Sequence, residues 1–348
     1  MLSETVDVVI GCDTHRDSHS VAVVDATSQQ ILGQFEIPAT GAGYREALQN
    51  VTGVLIGRRR AWAIEGTGSY GKGLTRYLTN RGEMVIEISR PLRPARRSQP
   101  KTDALDAIVA ARTAIAQTGH NTPRAGQTRE AIRVLLIARE SATMTRARSL
   151  KQIKALVVTA PDQLRDRLRS LPAVSLLNAC ARLRDTSPDH ATNATRTALR
   201  TLARAAIAAT RDKHTLDTKI TQLLETGWPG LLTQTGVGPV SAAQLVLSYS
   251  HHGRCHTEAA FARLAAVAPI PASTGKTIRH RLDPGGDRQL NRALHTIAMH
   301  RARHDPETIA YLDRKTQEGK TKREARRCLK RHLARRLYKH LKNIPTPP

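Results

Sequence analysis

The stretch Val8-Val9-Ile10-Gly11-Cys12-Asp13 decides the fold of the N-terminal region. It is an apolar run that ends on a carboxylate, and a second apolar run, Val21-Ala22-Val23-Val24-Asp25, follows after a short polar segment. Apolar runs bounded by turn-forming residues are typical of buried strands. The two runs therefore predict a strand pair that holds Asp13 rigidly at the edge of a sheet.

The surrounding pattern predicts a mixed sheet covered by helices. The predicted strands are 6–10, 20–24, 31–36, 60–65 and 84–88, and the predicted helices are 40–49, 74–79 and 103–117. This order of elements predicts an α/β fold in which helices cover a sheet, and it is the order of ribonuclease-H-like domains. We therefore predict a ribonuclease-H-like domain over residues 1–120.

The rest of the chain is predicted to be helical. The Ala-, Leu- and Arg-rich stretches 127–170 and 193–226 predict an antiparallel pair or coiled coil within 121–227, serving as a spacer or dimer interface. A plain helical bundle is an equal alternative. A mainly helical C-terminal domain is predicted at 228–313, followed by a basic tail, 314–348, that is helical over 314–343.

The composition indicates a polyanionic partner. The 348 residues include 55 Lys and Arg against 29 Asp and Glu, a net charge of +26. Such an excess points to DNA or RNA. Because aromatic residues make up only 3% of the chain, we expect contacts of Arg and Lys with the phosphate backbone rather than base stacking.

The cysteines and the apolar runs indicate a compartment. The four cysteines are scattered and form no C-x-x-C pair; they are Cys12, Cys180, Cys255 and Cys328. This argues against a disulfide framework and favours a reducing compartment. No apolar run approaches the ~18 residues of a membrane span, so we expect a soluble cytoplasmic protein with no membrane partner.

Four acids are candidate metal ligands: Asp13, Glu65, Asp103 and Asp106. Asp13 and Glu65 follow or end predicted strands, whereas the other two are three residues apart on one face of a predicted helix capped by Thr102. Mg²⁺ prefers carboxylate and phosphate oxygens, and two such ions can clamp a phosphodiester. Acids in the first turn of a helix are also favoured by the helix dipole alone, which is the competing explanation for Asp103 and Asp106.

A second candidate site is the Pro- and Gly-rich segment around Ser273. Nearby cations would offset the charge of an attacked phosphate; they are Lys276, Arg279, Arg281 and Arg288. A serine in this setting is a candidate phosphoryl nucleophile. Ser-Thr-Gly segments are also common in plain turns.

A third candidate is Gly236-Val237-Gly238-Pro239, which precedes an apolar helix. It is similar to the hairpin of a helix-hairpin-helix element, where backbone N–H groups contact a DNA phosphate without reading sequence. A Gly-rich turn between two helices is the alternative.

Two further patterns are weaker. Gly66-x-Gly68-x-x-Gly71 matches the dinucleotide-binding fingerprint, but three predicted strands precede it and Asp13 would stay unexplained. His251, His252, Cys255 and His256 do not have the spacing of a standard zinc site. We expect neither pattern to bind a ligand.

Five segments together resemble the DEDD-type, RuvC-like insertion-sequence transposases, the Piv-type IS110 family of bridge-RNA-guided recombinases. The segments are Ile10-Gly11-Cys12-Asp13-Thr14-His15, Ile64-Glu65-Gly66-Thr67-Gly68, Lys101-Thr102-Asp103-Ala104-Leu105-Asp106-Ala107, Gly236-Val237-Gly238-Pro239 and Ala268-Pro269-Ile270-Pro271-Ala272-Ser273-Thr274-Gly275-Lys276. The resemblance covers nearly the whole chain, with the motifs in the family's order.

The resemblance implies a site and its partners. The four acids would bind Mg²⁺, with Mn²⁺ as the alternative, and Ser273 would attack DNA to give a phosphoserine link. An RNA from the element would direct exchange between donor and target DNA, within a homodimer or homotetramer in the bacterial cytoplasm, at the nucleoid. Many relatives place the serine directly before the glycine, but this chain has Thr274 at that position and Ser273 one residue earlier. We assign the nucleophile to Ser273, and Thr274 is the alternative.

Two other function classes fit the same residues. A nuclease of the Holliday-junction-resolvase type would use the four acids and water, and it needs no Ser273. A non-catalytic nucleic-acid-binding scaffold would keep its function after loss of Asp13 or Glu65. The serine-bearing C-terminal domain favours the recombinase.

Overall fold

The computed structural model describes residues 2–54, 57–88, 103–117, 119–272, 280–281, 283 and 285–345. The chain divides into two compact units, Met1–Ala125 and Gly126–Pro348. The finer boundaries at 120, 227 and 313 stay predictions.

The first unit is built on a five-stranded mixed sheet, as predicted. Its strands are β1 (Val8–Thr14), β2 (Ser18–Asp25), β3 (Ile31–Pro38), β4 (Arg60–Glu65) and β5 (Met84–Ile88), and its helices are α1 (Gly41–Val54), α2 (Lys72–Thr79) and α3 (Asp103–Ala116). The strand order is β3-β2-β1-β4-β5. β1, β2 and β3 pair antiparallel, whereas β4 and β5 run parallel to β1.

Strand alternation gives the sheet two apolar faces. One face carries Ile10 and Trp62, which pack with Leu74 of α2. The opposite face carries Val9 and Ala61, which pack with α3. Both faces of the central strands are therefore buried, which explains why β1 reads as a continuous apolar run rather than an alternating one.

The contact between β1 and α3 is unusually close and is made at Gly11. A Cβ atom at this position would lie 1.9 Å from the carbonyl oxygen of Ala107 and 2.7 Å from the amide nitrogen of Ala111. Those are backbone atoms of the helix, so no side-chain rotation could make room. Glycine at position 11 and alanines on the facing side of α3 are what allow the helix to lie directly on the strand.

An ion pair joins β4 and β5 where these two parallel strands begin. Arg60 donates from Nε and Nη2 to the Glu83 carboxylate at 2.8 and 2.6 Å, and the indole Nε1 of Trp62 donates to the same carboxylate at 2.9 Å. These hydrogen bonds, with that of Arg60 first, lower the pKa of Glu83. The pair fixes the start of β5 against β4.

Over the residues that the structure describes, the second unit is helical apart from one short pair of strands. Its elements are α4 (Gln127–Val158), α5 (Asp162–Leu168), α6 (Ala173–Ala181), α7 (His190–Gly227), α8 (Pro239–Tyr249), α9 (Glu258–Leu264), β6 (Ile270–Pro271), β7 (His280–Arg281), α10 (Arg288–His304), α11 (Pro306–Gln317) and α12 (Lys322–Lys342). Among the described residues, no helix has both the length and the apolarity of a membrane span.

The two long helices α4 and α7 form the predicted antiparallel pair. Ile132 near the start of α4 packs with Ile220 near the end of α7, whereas Ile153 near the end of α4 packs with Leu199. Between these contacts, Arg139 of α4 forms an ion pair with Asp217 of α7. The two helices are thus joined by an ion pair as well as by apolar contacts.

The basic tail is two helices rather than the single helix predicted over 314–343. α11 ends at Gln317 and α12 begins at Lys322, with a left-handed glycine, Gly319 (φ 81°), between them. The Thr321 side chain caps α12 in a capping box with Glu324. A single helix was predicted because this part of the chain is rich in Lys and Arg. That prediction did not take Gly319 into account.

One face of α12 belongs to the core of the second unit. Leu329, Leu333 and Leu337 are buried there with residues of α8 and α9. Five arginines of the same helix are exposed; they are Arg323, Arg326, Arg331, Arg335 and Arg336. The buried leucines therefore fix the helix to the core while these cations stay accessible to solvent.

Replacing Gly11 tests the packing of α3. We expect Gly11→Ala to lower the free energy of unfolding by about 1–3 kcal/mol, since the helix backbone must move. Gly33→Ala on β3 is the matched control, because nothing lies within 4 Å of a Cβ atom there. The measurement is denaturant unfolding of both variants, and equal stability of the two would contradict the close contact.

The Glu83 ion pair predicts a pH dependence of stability. Because the folded pKa is lowered, this pair stabilises the protein above the unfolded pKa of about 4.3, and the contribution is lost as the pH falls through the folded value. Glu83→Gln should therefore lower the melting temperature at pH 7, and the difference from the wild type should shrink below about pH 4.

The control for this experiment is Glu36→Gln, which changes an exposed carboxylate on β3. Melting temperatures are measured from pH 7 to the lowest pH at which the wild type folds. A difference between wild type and Glu83→Gln that does not change over this range would show that the carboxylate charge is not what stabilises the strand pair.

Candidate metal centre

Asp13 lies within β1, one residue before its end. The sequence predicted that the strand would stop at residue 10, with Asp13 beyond it; this was wrong. Pairing with β2 continues to Thr14, which lies opposite His19, and hydrogen bonds of this ladder carry the strand through its polar end. Alternation along β1 places Asp13 on the same face as Gly11, the face that α3 covers.

The residue before Asp13 is not a candidate nucleophile. Cys12 points to the opposite face of the sheet, where it is fully buried. Burial raises the pKa of the Cys12 thiol, and a protonated thiol is a poor nucleophile.

Glu65 is the last residue of β4, beside the end of β1. The parallel pairing of these strands runs to Cys12 and Ile64, so Asp13 and Glu65 are the next residues on neighbouring strands, which lie about 4.8 Å apart. Glu65 shares the α3 face with Ala61 and Ala63. The Thr14 hydroxyl donates to the Glu65 carbonyl oxygen at 2.8 Å, which fixes the backbone at this position.

The glycine-rich segment after β4 packs down onto the strand ends. A Cβ atom at Gly71 would lie 2.9 Å from Ile64, 3.0 Å from the Glu65 carbonyl oxygen and 3.1 Å from Thr14. The segment is closed by backbone bonds from Ser69 and Gly71 to the Gly66 carbonyl, at 2.8 and 3.1 Å. The segment therefore packs against the backbone of Glu65 and limits its movement.

Asp103 and Asp106 occupy the first turn of α3, as predicted. The helix runs antiparallel to β1, since Ala107 contacts Gly11 and the later Ala111 and Ala114 pack in the cluster that contains Val9. The first turn of α3 therefore lies at the carboxyl end of β1. The proposed cap, Thr102, lies outside the described residues.

His15 completes a group of three donors with Asp13 and Asp103. Its Nε2 atom lies 3.0 Å from Asp13 Oδ2 and 3.5 Å from Asp103 Oδ1. The three ligand atoms lie within 4.8 Å of one another, the only such group of three metal-binding side chains among the described residues. The Asp13 side chain is 13% exposed, and those of His15 and Asp103 are 46% and 59% exposed.

His15 was not among the site residues predicted from the sequence. The available signal was its spacing: it follows Asp13 by two residues, so an extended chain places both side chains on one face. Glu65 and Asp106 lie at the same edge of the sheet, but their carboxylates are outside the group of three. The structure thus brings together two of the four predicted acids and adds an imidazole.

The donor set fits a divalent cation. Two carboxylates and one imidazole can bind Mg²⁺, Mn²⁺ or a related ion, and two further acids lie nearby to complete a shell together with water. A site of this kind, open to solvent on the side of Asp103, leaves room for a substrate oxygen.

The glycines of the proposed hairpin lie at the start of α8. Gly238 is its exposed N-cap and Pro239 its first residue. Gly236 packs against α10, where a Cβ atom would lie 3.0 Å from Arg301 and 3.2 Å from the Ile297 carbonyl oxygen. The predicted turn before an apolar helix is therefore present, with one glycine exposed and the other in packing contact.

The serine segment lies only partly within the described residues. Ser273, Thr274, Lys276 and Arg279 are outside them. On either side, β6 and β7 pair antiparallel, with Ile270 opposite Arg281. Arg281 and Arg288 are exposed.

The histidines after α8 have structural contacts. His252 links the Tyr249 hydroxyl, at 3.0 Å from Nδ1, to the carbonyl oxygen of Ile344, at 2.9 Å from Nε2. The Tyr338 hydroxyl donates to the Cys255 carbonyl oxygen at 2.8 Å. The bond from Tyr338 ties the segment to α12, and the contact of His252 ties it to the residues that follow this helix.

Comparison with known proteins identifies relatives of both units. Residues 10–160 match a family model for DEDD transposases of the IS110 type. Residues 230–313 match the model of the transposase IS116/IS110/IS902 family. The first range contains all four predicted acids and His15, and the second contains Ser273 and both glycines of the hairpin.

A curated relative matches as well. The chain is 34% identical over 127 residues to the insertion element IS110 uncharacterized 43.6 kDa protein of Streptomyces coelicolor. The match covers 36% of this chain and 31% of that protein, so it spans about a third of the relative's length.

Proposed function

The chain belongs to the IS110 family of transposases, and on this basis we propose that it is a DNA transposase that cuts and rejoins strands of an insertion sequence. The single observation that carries the proposal is the convergence of Asp13, His15 and Asp103 at one edge of the sheet. Carboxylates that lie this close together need a cation to compensate their charge. A bound metal ion would do so and would also bind a phosphate of DNA, which the net charge of +26 attracts.

The metal would be held by Asp13 and Asp103, with Glu65 and Asp106 beside them. When bound, Mg²⁺ or Mn²⁺ would stabilise negative charge on the phosphate during transfer. The fold positions these acids, because β1 and β4 end side by side and α3 begins beside them. This arrangement agrees with a ribonuclease-H-like domain of the RuvC type.

Ser273 is the proposed nucleophile. Its Oγ atom loses a proton and bonds to phosphorus, the bond from phosphorus to a deoxyribose oxygen breaks, and that oxygen takes up a proton. Attack of another deoxyribose hydroxyl on the phosphoserine then rejoins the strands and frees the serine. Each step exchanges one phosphodiester for another, so no nucleotide cofactor is needed.

Lys276 and Arg279 are proposed to bind the phosphate, and Gly238, Arg281 and Arg288 to contact the DNA backbone.

The proposed partners are donor and target DNA, a guide RNA and further copies of the chain. RNA guidance is what the family resemblance implies, and the exposed arginines of α12 suit a nucleic-acid backbone. A homodimer or homotetramer is proposed on the helical region, because Val134, Ile137 and Met144 are exposed at helical spacing along α4.

A nuclease that uses water is the competing function. Asp13, His15 and Asp103 all belong to the first unit, and metal-assisted hydrolysis requires nothing from position 273. The product distinguishes the two, since only the transposase forms a covalent protein–DNA link.

The test is a search for this link. The protein is expressed with the flanking DNA of its element, the cells are denatured, and DNA bound covalently to protein is quantified. We expect an adduct in the wild type and in the control Ser170→Ala, and none in Ser273→Ala. Loss with Thr274→Ala but not Ser273→Ala would move the nucleophile. Strand cuts without any adduct would favour the nuclease.

The acids are tested with Asp13→Asn by measuring recombination of the element in cells and DNA binding of the purified protein. We expect recombination to fall to background, because a metal ligand is lost, while salt-sensitive DNA binding is retained. Asp212→Asn, which changes an exposed carboxylate on α7, should recombine normally. Full recombination by Asp13→Asn would contradict the proposed site, and loss of DNA binding would indicate a general defect.

RNA guidance predicts sensitivity to ribonuclease. Treating the purified complex with ribonuclease before adding DNA should abolish recombination, and adding back the element's transcript should restore it. A mock-treated sample is the control. Recombination that proceeds unchanged after complete RNA removal would contradict a guide RNA.

A further inference from the structure

His15 lies where the proposed metal would be. Its Nε2 atom contacts Asp13 at 3.0 Å and Asp103 at 3.5 Å, so one nitrogen lies beside an oxygen of each carboxylate. A cation that binds both oxygens therefore meets the imidazole. Either the imidazole coordinates the ion, or it must leave the space between the two acids.

The backbone favours coordination. The amide nitrogen of His15 donates to the Ser18 carbonyl oxygen at 3.1 Å, which closes the turn between β1 and β2. Since β1 itself ends at Thr14, the imidazole is carried on a tight turn directly beside Asp13. Such a residue is positioned before the ion arrives, so little conformational entropy is lost on binding.

We propose that His15 is a metal ligand, coordinating through Nε2 the same divalent ion that Asp13 and Asp103 bind. This rests on the proposed function in one respect, that these two acids bind a metal. Imidazole binds first-row transition ions better than Mg²⁺, which takes oxygen ligands and retains its waters. His15 therefore shifts the preference of the site from Mg²⁺ towards ions such as Mn²⁺.

The experiment measures Mn²⁺ binding to the whole protein without nucleic acid. Affinity is obtained by electron paramagnetic resonance titration, and Mg²⁺ affinity by competition, for wild type, His15→Asn, His15→Gln and Asp13→Asn. His190→Asn is the control, since His190 is an exposed histidine of α7. Circular dichroism and melting temperature establish that each variant is folded.

We expect replacement of His15 to weaken Mn²⁺ binding at least about tenfold, since outer-shell changes alone cost about that much, and to weaken Mg²⁺ binding less. Pulsed paramagnetic resonance of the bound Mn²⁺ should show coupling to a nitrogen nucleus. The coupling should change when histidine is labelled with ¹⁵N, and it should be absent from His15→Asn.

The outcomes separate this inference from the proposed function. If Asp13→Asn abolishes Mn²⁺ binding while His15→Asn binds normally, or if the wild type shows no nitrogen coupling, His15 is not a ligand and the transposase proposal stands. Equal weakening of Mn²⁺ and Mg²⁺ would overturn the shift in preference. If Asp13→Asn binds Mn²⁺ as tightly as the wild type, the metal site itself is wrong.

Discussion

The direct backbone contact between β1 and α3 is the constraint on which the proximity of Asp13, His15 and Asp103 depends. With any side chain at position 11, Ala107 and Ala111 of the helix would have to withdraw, and the first turn of α3 would withdraw with them. Asp103 would then no longer lie beside Asp13 and His15. A residue without chemistry of its own therefore determines whether the chemical groups meet.

Charge links this geometry to the proposed function. Cations outnumber acids by 26 in this chain, and such an excess of positive charge attracts polyanions such as a nucleic-acid backbone. At the sheet edge the sign is reversed, and carboxylates repel a phosphate unless a cation lies between them. A metal at the edge satisfies both requirements, because it compensates the acids and binds the phosphate in the same place.

Much of the first unit could be predicted from its residues. The strands 60–65 and 84–88 coincide with β4 and β5, because each is a short apolar run with clear boundaries. The end of β1 could not be placed, since it depends on pairing between Thr14 and His19, and neither residue is typical of a buried strand. The spacing of His15 to Asp13 could have been read from the sequence, but its proximity to Asp103 is set by α3, which is remote in sequence. In the second unit, the pattern predicted two long helical stretches and left an antiparallel pair and a plain bundle as equal alternatives, and it did not predict the break at Gly319.

The most direct test of the proposed metal site is a crystal structure of the protein grown with Mn²⁺, with anomalous scattering collected at the manganese edge. We expect a peak between Asp13 and Asp103, within coordination distance of a carboxylate oxygen of each. Crystals that bind Mn²⁺ elsewhere but show no peak between these two side chains would contradict it.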